Sequence, residues 1–138
     1  MNQRNREYFD KQVGWVLDRL PRKILRLLLE VPLHVDDQPS KQLLEDLKID
    51  DPEALCGFYN GVPLNEVSVF GAHVYLSAGV PYPNNITIFR RGIVAGARDE
   101  RGKISRNSLR QQIRITILHE LAHFHGMDED EITEIGYG

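Results

Sequence analysis

His119-Glu120-Leu121-Ala122-His123 puts two imidazoles and a carboxylate within one short stretch of chain. On an α-helix, residues four apart are neighbours on one face. At about 100° per residue, His123 lies roughly 40° around from His119 and Glu120 roughly 100° around. Both imidazoles can then bind one ion, and the carboxylate sits beside that ion without ligating it. This is the donor set of a hydrolytic zinc, one Zn²⁺ per chain. Neutral imidazole nitrogens bind zinc at about 2.0–2.1 Å, and a catalytic site combines three protein ligands with one water. The metal acidifies that water, and Glu120 is placed to take its proton and pass it to a leaving amine.

The third ligand has to come from beyond the helix. Gly126 follows His123 by three residues and suits the conformation in which helices end. Counting on from that glycine reaches Glu129, with Asp128, Asp130 and Glu134 as alternatives. The run Asp128-Glu129-Asp130-Glu131 also has a plain structural reading, in which Asp128 caps a final turn and the next acids favour its N-terminus. His125 falls roughly 240° around from His119, away from the pair, and reads as a helix-end or surface residue. His34 and His73 stand alone in strand-like runs and read as structural.

A site of this kind needs a rigid helix beneath it. Leu109, Ile113, Ile117 and Leu121 form a stripe at i, i+4 spacing, with Ile115, Leu118 and Ala122 beside it. So wide an apolar surface predicts burial on most sides. The segment "IRITI" has weak helix propensity, so packing must hold it. The helix is expected from an N-cap at Asn107 or Ser108 to His125.

Upstream, Phe9, Val13, Val16, Leu17 and Leu20 have helical spacing from Arg6 onward, and Pro21 opens a second helix to about Leu29. "EVPLHVDD" reads as a strand, with Pro32 suggesting an edge. Ser40 can cap a short helix through Leu47, and "DDPEAL" can begin another turn. "VSVFGAHVYLS" and "ITIFRR" read as strands separated by a turn at "GVPYPNN". "GARDERGKISRN" reads as a polar loop. The order predicts an α+β fold in one domain over residues 1–138, a small mixed sheet packed on helices with the site helix near the C-terminus.

Composition bounds the rest. Charged residues make up 27% of the chain and the net charge is −3, so no basic footprint for nucleic acid is expected. The basic strip from Arg90 to Arg114 reads as a solvated face. One cysteine, Cys56, excludes an intramolecular disulfide, suits a reducing compartment and reads as a structural thiol. "MNQRNREYFD" has no apolar core of a signal peptide, and "ILRLLLEVPL" is too short and charged to span a bilayer. A soluble, cytoplasmic protein is expected, with no membrane partner.

"GVPLNEVSVFG", "ITIFRRGI" and "IRITILHELAHFHGMDEDEITEIGYG" resemble the small bacterial zincin-like metallopeptidases, with an echo in "LPRKILRLLLEVPLHVDD". The resemblance implies a compact zincin-like α+β fold, peptide or protein substrates, and zinc bound at His119 and His123 beside Glu120. Family members commonly carry Asp where this chain has Glu129, and often read His-Phe where it has Phe124-His125. The "SAGVPYPNN" loop looks longer than usual. With that fold, "ITIFRR" is expected beside the cleft, where a peptide could add to its edge. Tyr75, Tyr82, Tyr137 and Arg90 are the candidate oxyanion donors. Two other functions share parts of the pattern. One is a metal-dependent endoribonuclease built on an HxxxHxxGxxH helix, which lacks the carboxylate at 120 and wants histidine at 129. The other is a metal-binding regulatory protein without catalysis.

Overall fold

Local signals place most of the helices. The computed structural model describes residues 1–61, 84–125 and 130. The strand read from "VSVFGAHVYLS", the turn after it, and His73 lie outside the described residues. Helix α1 spans Gln3–Asp18 and starts earlier than its apolar spacing suggests, because Asn2 accepts a hydrogen bond from the Asn5 amide at 2.9 Å. Pro21 takes the N-cap of α2, Arg22–Glu30. Strand β1 is Leu33–Asp36 and helix α3 is Lys41–Leu47, with the Ser40 hydroxyl accepting from the Leu43 amide as its cap. A 3₁₀ turn at Pro52–Ala54 is capped by Asp51. It leads into β2, Gly57–Asn60. Strand β3 is Asn85–Phe89, followed at once by α4, Arg90–Ala97, and then by α5, Arg106–Phe124.

The three described strands form one mixed sheet in the order β1-β3-β2. β1 runs parallel to β3, pairing Leu33 with Ile86 and Asp36 with Phe89. β2 runs antiparallel to it, pairing Gly57 with Ile88 and Asn60 with Asn85. Pro32 therefore does precede an outer strand of this set, and its carbonyl accepts from the Ile86 amide. α5 packs on β2 and β3 on one side and on α1 and α4 on others. The core between them is built from Phe9, Val31, Ile86, Ile88, Ile93, Ile113 and Ile117, all essentially sealed from water. The architecture is α+β.

Four expectations change. β2 was not anticipated, because Gly57 and Asn60 look like turn residues and four residues carry too little alternation to register. "ITIFRR" is a strand only to Phe89. Arg90 and Arg91 open α4, which also takes over the start of the loop expected at "GARDERGKISRN". β3 is central, with both of its edges paired over its length, so no peptide can add to it. Finally, α5 is capped by Ser105. Its hydroxyl accepts from the Ser108 amide while the Ser108 hydroxyl accepts from the Ser105 amide, a reciprocal box that places Ser108 inside the helix.

Arg90 turns the chain because its side chain is drawn elsewhere. Its guanidinium donates to Asp10 through Nε and Nη2 and to Asp37 through Nη1 at 2.9 Å. Arg6 forks onto the same Asp37 carboxylate at 2.6–3.1 Å. The network ties α1 to the ends of β1 and β3. The Arg6 hydrogen bond, helped by Arg90, holds the Asp37 carboxyl down to about 2. A carboxyl whose folded pKa lies below its unfolded one contributes stability above the unfolded value and loses it as pH falls through the folded one. Thermal unfolding should therefore show wild type losing more stability than Asp37→Asn between about pH 4 and about pH 2. Equal losses in both would exclude Asp37 as the source.

Candidate metal centre

The site helix is anchored before it reaches any chemistry. Leu109, Ile113, Ile117 and Leu121 are each no more than 3% exposed, as their spacing predicts. Beside that apolar stripe runs a polar one, Gln112, Thr116 and Glu120, again four residues apart. It faces β2 and the residue before it. Gln112 Nε2 donates to the Cys56 sulfur at 3.8 Å, and the Thr116 hydroxyl turns back to donate to the Gln112 carbonyl at 2.8 Å. Burial pushes the half-buried Cys56 thiol up, and the negative charge of Glu120 adds to the effect against the Gln112 bond. Cys56 is thus held as a thiol, in keeping with a structural role.

One turn further, the helix presents its two histidines. His119 and His123 are half-buried, and their Nε2 atoms lie 3.2 Å apart. The rings meet edge to face, with centroids 4.9 Å apart. Glu120 is buried at 6% exposure. One ligand atom from each of the three residues falls within 4.8 Å of the others. Two nitrogens at the zinc–nitrogen distance of tetrahedral coordination would be separated by about 3.3 Å, so the pair as it stands fits the donor set of one such ion. The charge of Glu120 lies where it would favour a cation.

α5 ends just after this cluster. His125 is its C-cap, exposed to solvent, with its amide bonded to the Leu121 and Ala122 carbonyls. It stands outside the cluster, as its angle around the helix predicts. Gly126, Asp128, Glu129 and Glu134 lie outside the described residues, as do Tyr75, Tyr82 and Tyr137. Asp130 is described, is exposed, and is absent from the cluster. Arg90, weighed as an oxyanion donor, is engaged instead by Asp10 and Asp37. His34 is exposed on β1.

Comparison with protein families matches the chain to the zincin-like metallopeptidases over residues 28–138. The chain belongs to that family. The matched region starts within α2 and takes in the sheet, α4 and the site helix, so the chain matches this family over most of its fold and not at one short motif. A search of curated proteins found no match. Among the described residues, no helix is long and apolar enough to cross a membrane.

Two residues of this site escaped the sequence. Gly57 on β2 and Thr116 on α5 both pack against the Glu120 side chain or its immediate surroundings. The i, i+4 repeat of Gln112, Thr116 and Glu120 was the one available signal for Thr116. Nothing in "LCGFYN" marks Gly57, whose neighbours are set by tertiary packing.

Proposed function

We propose that this zincin-like protein is a zinc-dependent peptidase, with His119, His123 and Glu129 holding one Zn²⁺ and Glu120 acting as general base. The observation that carries the reading is the convergence of the two Nε2 atoms at 3.2 Å beside a buried carboxylate on one helix. Zinc held there would supply a Lewis acid and an acidified water. The residues of the chain do the rest. Glu120, walled in by β2, accepts the proton of the attacking water on a carboxylate oxygen and delivers it to the leaving amine. The histidines come from one rigid helix, so their spacing does not depend on a loop. Glu129 would return past Gly126 to complete the set, and a tyrosine outside the described residues would serve the oxyanion. Family membership favours a peptide or protein substrate over RNA.

Metal analysis tests the centre. Purified wild type should carry near one zinc per chain, and His123→Ala should lose most of it. Glu129→Ala should lose it too; retained zinc there would move the third ligand to Asp128 or Glu134. Cleavage of a mixed peptide library, abolished by a chelator and restored by zinc, tests the activity. A wild type that neither contains nor takes up zinc would overturn the reading, and chelator-sensitive cleavage of RNA with peptides untouched would replace it with the nuclease.

A further inference from the structure

β2 runs alongside the site helix, and its register against that helix is specific. Tyr59 reaches Phe124, with ring centroids 5.8 Å apart and tilted by 59°. Gly57, two residues earlier, points to the same side of the strand. It meets the helix one and two turns back, at Glu120 and Thr116. A Cβ at position 57 would lie 2.8 Å from the Thr116 Cγ2 methyl, 3.2 Å from the Glu120 Cγ and 3.3 Å from the Thr87 carbonyl oxygen. The space a side chain would take is filled by the γ-methylene of Glu120 and the methyl of Thr116.

The Thr116 neighbour does not give way easily. Thr116 is β-branched, and its hydroxyl is committed to the Gln112 carbonyl, so its methyl cannot rotate aside without breaking that bond. Gly57 is paired with Ile88 in the sheet and flanked by the Cys56 carbonyl, which accepts from the Phe89 amide at 2.8 Å. The strand is held from one side and the helix from the other.

We propose that Gly57 is a positioning residue for Glu120. By carrying no side chain it lets β2 close on the γ-methylene of the glutamate and fix the carboxylate beside the histidine pair. This rests on the reading of Glu120 as general base. A methyl group at 57 should push the carboxylate off its position without touching either histidine. Misplacing a reacting group by about 1 Å can cost about 10²-fold in rate.

The test combines kinetics, metal content and an NMR contact, all on the full zinc-loaded chain. In Gly57→Ala, kcat should fall by roughly 10- to 100-fold with KM changed by less than about twofold and zinc content as in wild type. Added to Glu120→Gln, the same substitution should cost no further rate, because both act through one carboxylate. Wild type should show nuclear Overhauser contacts from the Gly57 α-protons to the Glu120 γ-protons. Wild-type kcat in Gly57→Ala, an equal loss in both backgrounds, or zinc lost in step with activity would each overturn the role. Absence of the proton contact would overturn it without reference to activity. A wild type that shows the contact but cleaves no peptide would bring down the peptidase reading and this role with it.

Discussion

Glu120→Gln should lower kcat/KM by about 10³-fold while zinc content and melting temperature stay close to wild type. Glutamine keeps the shape of the side chain, so the γ-methylene that faces Gly57 stays where it is. It opens no cavity at a position only 6% exposed. What it removes is a proton acceptor. General acid–base catalysis typically contributes about 10²–10⁴-fold, and a loss of about 10³ corresponds to about 4 kcal/mol of transition-state stabilisation. Continuous assay with a fluorogenic peptide, alongside metal analysis, reads both quantities. Turnover above about a tenth of wild type would remove Glu120 from the base role. If the protein instead binds a partner without catalysis, Glu120→Gln should leave that affinity unchanged.

Gly92→Ala should destabilise the fold by roughly 3 kcal/mol, at the upper end for overpacking a well-filled core. Gly92 lies in the first turn of α4, buried against the segment that leads into β2. A Cβ there would lie 2.7 Å from the Leu55 carbonyl carbon and 3.1 Å from the Cys56 Cα, and it would press hardest on the Leu55 carbonyl oxygen. These are backbone atoms, which cannot swing away as a side-chain tip can. Either α4 lifts off this segment or the Leu55–Cys56 backbone moves away from α4. Urea unfolding of Gly92→Ala measures the effect, and a change under about 1 kcal/mol would show that the Leu55–Cys56 backbone yields. Gly14→Ala is the matching control. Gly14 sits inside α1, and a Cβ there meets nothing within 4 Å. The same substitution should stabilise by about 0.5–1 kcal/mol through helix propensity alone.

Much of the site could be read before any tertiary contact was known, and the reason is local. The pairing of His119 with His123 depends only on helical rise, and so does the stripe from Leu109 to Leu121 that anchors them. Ser40 as a cap and Pro21 at a helix start follow from hydrogen-bond needs within a few residues. The exit of His125 from the cluster follows from its angle on the same helix. Even the misplaced N-cap of α5 was an error of two or three residues, since Ser105, Asn107 and Ser108 can all cap and only the reciprocal box selects among them.

Sheet order and the helix–strand register were decided elsewhere. "CGFYN" becomes a strand because β3 offers it a partner some 25 residues away in the chain, as the Tyr59–Asn84 bond between the same segments illustrates. Arg90 ends β3 and begins α4 because Asp10 and Asp37 reach it from α1 and the end of β1. Gly57 lies against Glu120 only because α5 lies along β2. By itself the sequence determined which side chains form the candidate centre, since one helix carries both histidines and the carboxylate of Glu120. Tertiary structure decided what lies against the Glu120 side chain among the described residues, because Gly57 comes from a strand more than sixty residues earlier in the chain, and only long-range packing brings the two together.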